Sequence, residues 1–201
     1  MVTIARRATA CIAMACLLAA AASLPAAAQT IESAYSKIDW QRSCTLEDES
    51  NEGDGAWAKV VCDGFGNVPV RITDADNRMS LDYGAVQERG PWESFAGFNR
   101  VNETVEWRLA DGTPFATIHR WFVSDDEGGE RQVLVVSTVA GRWSRESCMV
   151  GFVDANANSN ANLIARGLAD AEARGFRCGV DRPDYVGQTT SRSPQATAGP
   201  N

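Results

Sequence analysis

NETVEWRLADGTPFATIHRWFV, residues Asn102 to Val123, carries the clearest pattern in the chain. Val105, Trp107 and Leu109 alternate with Thr104, Glu106 and Arg108, the period-2 pattern of a half-buried strand. Asp111-Gly112 follows, a pair that readily takes the positive φ angles of a tight hairpin turn. Phe115 to Val123 then reads as a returning strand rich in β-branched and aromatic residues. The only histidine, His119, lies in it, and simple alternation puts it on one face with Phe115, Thr117 and Trp121.

Strands extend outward from this hairpin in both directions. Downstream, Asp125–Glu130 is a polar turn and Gln132–Val139 is apolar on both alternations, as expected of a central strand covered on both faces. Gly141–Ser147 is a turn, and Cys148–Val153 closes the series. Upstream, Tyr35–Cys44, Trp57–Cys62, Val68–Thr73 and Arg78–Tyr83 read as strands, with an acidic loop over Glu47–Gly55 and a turn at Asp74–Asn77. Gly84–Val101 is long for a connection between strands. Pro91 can open a short helix there, with Trp92, Phe95 and Phe98 on one side as a plug over the sheet end.

The pattern changes after Asp154. Ile164, Leu168 and Ala171, with Ala161 and Ala165 alongside, define an amphipathic helix. Asn156, Asn158, Ser159 and Asn160 offer N-caps, and Gly175 is expected to end the helix in the left-handed conformation. Asp154, Asn156 and Asn158 have the spacing that opens an EF-hand loop. The sixth position is Ser159 and the twelfth Ala165, so the ligand set fails and capping is the better account.

The N-terminus reads as a signal peptide over residues 1–28. Arg6-Arg7 precede the apolar run Ala8–Leu24, Pro25 breaks it, and Ala26-Ala27-Ala28 before Gln29 suits signal peptidase. Cleavage there removes two of the 19 basic residues and none of the 26 acidic ones, taking the formal charge from −7 to −9. Nucleic acid and anionic lipid surfaces call for the opposite sign, so no nucleic-acid partner and no stable membrane insertion after cleavage are expected. Of six cysteines, Cys44, Cys62, Cys148 and Cys178 remain, spaced 18, 86 and 30 residues apart. Those spacings lack the close pairs of a zinc site, and an even count in an exported chain reads as two disulfides. Neighbouring strands favour Cys44–Cys62, and Cys148–Cys178 would pin the helix to the last strand.

The expected fold class is α+β: an antiparallel meander sheet of about seven or eight strands, twisted or partly closed, with one C-terminal amphipathic helix. The expected organisation is a signal peptide (1–28), a single disulfide-stabilised domain (29–183), and a disordered tail (184–201) rich in Ser, Thr, Gln, Gly and Pro. No motif in the chain names a reaction. His119 is a weak catalytic candidate because no nucleophile signature accompanies it, and no metal and no cofactor are expected. Six tryptophans are many for this size. Trp143 between Arg142 and Arg145, together with Trp92, forms the candidate ligand-binding set, since rigid aromatics and arginines dominate binding hot spots. The expected role is a periplasmic or secreted, non-catalytic binding or inhibitory module for a protein or glycan of the cell envelope. The alternatives are an envelope hydrolase using His119 or a carboxylate pair, and an assembly protein pairing through a sheet edge.

Overall fold

The computed structural model describes residues 29–52, 55–85 and 92–197; the expected signal peptide and Arg89-Gly90-Pro91 lie outside them. Ten strands and one helix follow in order: β1 (Ile31–Lys37), β2 (Cys44–Ser50), β3 (Trp57–Asp63), β4 (Pro69–Ala75), β5 (Arg78–Tyr83), β6 (Asn99–Ala110), β7 (Thr113–Ser124), β8 (Glu130–Thr138), β9 (Met149–Asp154), α1 (Ala161–Glu172) and β10 (Asp184–Tyr185).

The β6–β7 hairpin forms as its sequence demands. Asp111 and Gly112 take φ values of 49° and 74°, the left-handed pair of a type I′ turn. One detail departs from simple alternation. Arg108 opposes Ala116 and Leu109 opposes Pro114, so Phe115 is an extra residue in the ladder. This bulge turns Phe115 onto the opposite face from Thr117, His119 and Trp121.

The fold is α+β, but not a single meander. β1-β6-β7-β8-β9-β10 form one sheet, and β2-β3-β4-β5 form a second. The second sheet is an antiparallel meander, whereas β1 skips it and pairs with β6 from Ile31↔Ala110 to Lys37↔Thr104. The reason lies in burial. Val70, Ile72, Leu81 and Tyr83 make an apolar face on the small sheet that needs a cover, and Val105, Trp107, Trp121, Val133 and Val135 of the large sheet supply it. The opposite face of the large sheet, with Ile118, Leu134, Val136 and Val153, receives α1. β8 is therefore buried on both faces, as its two-sided apolar pattern requires. The layers run small sheet, large sheet, helix.

The sheets join at one corner, where Ala140 N donates to Tyr83 O (2.8 Å) and Ala85 N donates to Ala140 O (3.2 Å). Gly84 sits there at φ 102°, and a Cβ on it would lie 2.2 Å from Ala140 O, so no larger residue fits. Both expected disulfides are present. Cys44–Cys62 links directly opposed residues of β2 and β3, and Cys148–Cys178 ties the start of β9 to the segment after α1.

Four expectations are corrected. Glu47–Ser50 belong to β2 rather than to a loop. Trp92–Phe98 is not helical: of its three aromatics only Phe95 is buried, while Trp92 and Phe98 are exposed. The helix buries the alanine row Ala161, Ala165 and Ala169, and its C-cap is Ala173 in right-handed geometry, so Gly175 is not a left-handed cap. The tail is ordered through Thr197 by hydrogen bonds and by the packing of Tyr185 and Ala196 against the core. β10 pairs with β9, Asn158 Nδ2 donates to Gln188 O (2.8 Å), Ser193 Oγ donates to Asp154 Oδ2 (2.6 Å), and Thr197 N donates to Ser94 O (2.8 Å).

Candidate functional site: the open end of the small sheet

Residues two apart on a strand share a face, so the core row Val60, Ile72 and Leu81 continues on the same side to Ala58, Asp74 and Met79. Glu49 of β2 stands opposite Ala58 and extends the row. The face thus passes from branched aliphatics to one methyl group flanked by two carboxylates. Against this end lies a cleft of about 560 Å³, lined by Glu49, Asn51, Gly55, Ala56, Trp57, Ala58, Asp74, Asp76 and Asn77.

Turn chemistry shapes its rim. Asp76 and Asn77 take φ values of 52° and 55°, a second type I′ hairpin, and this fixes the β4–β5 register that sets Asp74 opposite Met79. Burial pushes the Asp74 carboxyl above its ordinary value. Asp76 is held by Arg78 (2.5 Å), and Lys59 Nζ lies 4.6 Å above the Trp57 ring. The cleft therefore offers carboxylates and amides, while the Trp57 side chain alternates to the other face of β3, under Lys59. Short polar side chains of this kind bond to hydroxyls.

The residues singled out by sequence fall elsewhere. His119 is fully buried between the sheets. Its Nε2–H donates to Asn102 O (2.6 Å), and Nδ1 accepts from the Tyr83 hydroxyl (2.8 Å), which fixes a neutral tautomer. Burial lowers its pKa to about 4, although the Asn102 carbonyl works the other way. Both ring nitrogens are occupied by structural partners. Trp143 is half-buried against the helix-side core. Arg142 lies 4.9 Å from its ring centroid and Arg174 6.0 Å, while Arg142 and Arg145 are exposed. The indole therefore serves partly as cover for the sheet end. Trp92 is exposed at 42%.

Sequence reasoning passed over one buried acid. Glu93 is 8% exposed and its Oε2 accepts the Met149 N–H (2.8 Å) at the bulged start of β9. Burial raises its pKa to about 7, the Met149 N–H opposes that rise, and nearby Asp82 adds to it. No local pattern marks this glutamate, because its surroundings are assembled from β5 and β9. Among the described residues no cluster of three or more His, Cys, Asp or Glu could hold a metal ion, and no helix is long and apolar enough to cross a membrane. No family model, curated protein or solved structure matches this chain.

Proposed function

We propose that this chain is an exported, non-catalytic binding module whose ligand enters the cleft at the open end of the small sheet. The observation that carries this reading is the replacement of core aliphatics by Glu49, Ala58 and Asp74 on a face that is otherwise apolar. Two disulfides support export, since such bonds persist in oxidising compartments. Of the two partner classes expected, protein and glycan, the mix of amides and carboxylates favours a glycan of the cell envelope. The test is calorimetric titration of the mature protein with soluble fragments of envelope polysaccharide. Glu49→Ala and Asp74→Ala should each weaken binding by about 1–2 kcal/mol, a hot-spot magnitude, with little change in Tm. If Trp143→Ala alone weakens binding, the Arg142–Trp143–Arg145 rim is the site and the cleft is not.

A second reading rests on Glu93. A buried carboxyl with a pKa of about 7 beside a second carboxylate has the properties of a general acid in glycoside hydrolysis. Release of reducing ends from the same polysaccharide, abolished by Glu93→Gln, would replace the binding reading with a hydrolytic one.

A further inference from the structure

Gln29 becomes the first residue of the chain if the signal peptide is cut after Ala28, and the inference below rests on that reading. The side-chain amide of Gln29 is gripped at both ends. Nε2 donates to Asp111 Oδ2 (3.2 Å), and Arg174 donates from Nη1 to Oε1. Asp111 is itself fixed. It occupies the left-handed turn of the β6–β7 hairpin, its Oδ1 accepts the Thr30 N–H (3.0 Å), and its own N–H donates to Thr30 O (2.9 Å). Arg174 is steadied by aromatic contacts, with its guanidinium 5.1 Å from the Phe115 ring centroid and 6.0 Å from that of Trp143. Gln29, Asp111 and Arg174 are all exposed, so water and a small leaving group reach the site.

We propose that Gln29 is a modification site: once N-terminal, its amine closes on its own side-chain amide to give pyroglutamate, with Asp111 and Arg174 holding the reacting amide. The lone pair of the free α-amine attacks Cδ and forms the new C–N bond. Charge develops on Oε1, where the Arg174 guanidinium stabilises it. The Cδ–Nε2 bond then breaks, a proton from the attacking amine passes to Nε2, and ammonia leaves. Nothing is oxidised or reduced, and no further reactant is needed. The product lactam keeps Oε1 as an acceptor for Arg174. Its ring N–H replaces Nε2–H on the same amide carbon. The cradle of Asp111 and Arg174 therefore holds the amide that is attacked.

The test begins with the full precursor expressed in an exporting host. Intact mass and N-terminal sequencing of the processed protein should show a blocked terminus, about 17 Da lighter than a chain starting with Gln29, the mass of ammonia. A free Gln29 amine that persists overturns the proposal and leaves export standing. A terminus elsewhere overturns the proposal together with the cut after Ala28 on which it rests. The role of the cradle is read from a time course on freshly processed protein, compared with the peptide QTIESAY. The folded protein should cyclise about tenfold faster than the peptide, and Arg174→Ala should fall toward the peptide rate. Asp111→Asn, which keeps a left-handed turn residue, should slow the reaction as well. Equal rates in protein and peptide overturn the cradle. Denaturant midpoints of both variants check that the fold persists.

Discussion

The large sheet is closed on its two sides by opposite means. Toward the small sheet the contact is aromatic and branched. Trp107 stands edge-on to Tyr83 at 5.9 Å, Trp121 edge-on to Phe95 at 5.5 Å, and valines, isoleucines and leucines fill most of the remainder. Toward the helix the contact is thin and partly ionic. Ala161, Ala165 and Ala169 let α1 come close, and the margin is fastened by charge. Arg108 grips Asp170 with two bonds (2.8 and 2.7 Å), and Arg166 grips Glu106 with two (2.6 and 3.2 Å). Ser33 Oγ donates to Glu106 (2.6 Å), which ties β1 into the same network. The difference assigns different jobs to the two faces. Apolar area supplies most of the stability on one side. On the other, bidentate ion pairs contribute position more than net energy, because desolvation consumes much of their attraction.

Mutations should separate these jobs. Trp107→Ala removes a fully buried indole whose Nε1–H donates to Ser36 Oγ (2.8 Å), and it should cost about 3–5 kcal/mol in denaturant unfolding. A loss below about 1 kcal/mol would mean that the sheets do not share this core. Arg108→Ala leaves Asp170 and Ser33 without their partner and should cost about 2 kcal/mol, less than a fully buried pair because Asp170 is 34% exposed. Arg108→Met combined with Asp170→Leu should recover most of that loss; if it does not, the pair is a net stabiliser rather than a positioning device.

The smallest effect concerns a buried carboxyl at the margin of the apolar side, that of Glu93. Its carboxyl is raised from an ordinary 4.5 to about 7. Below 4.5 both folded and unfolded chains hold the proton, and between 4.5 and 7 only the folded chain does. The stability contributed by Glu93 is therefore full at low pH and is lost as pH rises through 7. Buried His119 works in the opposite direction, losing stability as pH falls below its ordinary 6.5, so the difference between wild type and Glu93→Gln isolates the glutamate. From about pH 5 to about pH 8 the wild type should lose about 1–2 kcal/mol relative to that variant. Parallel pH profiles would place the Glu93 carboxyl in water.

Local patterns in the sequence carried much of this arrangement. Asp111-Gly112 dictated the hairpin, the two-sided Gln132–Val139 run dictated a central strand, and an even cysteine count with neighbouring elements paired both disulfides. What escaped was set by distant partners. Alternation says that a face is apolar but not which sheet will cover it, so the division into two sheets was hidden. The Phe115 bulge reversed one side chain without any mark in the residue pattern. The tail looked disordered because it is polar, yet Asn158 and Ser193 fasten it through bonds that composition does not register. The cleft became visible only once register aligned Glu49, Ala58 and Asp74 across three strands. His119, Trp143 and Trp92 were conspicuous by residue type, which does not report position.

The pairing of β1 with β6 has a consequence in time. Synthesis runs from the N-terminus at about 5–20 residues per second, so β1 exists for several seconds before its partner does. Each strand of β2–β5 finds its neighbour in the next segment to be made, so that sheet pairs through local contacts, and its Cys44–Cys62 bond closes once the chain reaches an oxidising compartment. β1 must meanwhile stay unpaired, with Ile31 waiting for Ala110. Such distant contacts slow folding because the loop must be closed before the pairing rewards it. The last strand to be seated in the large sheet can thus be among the first to be made.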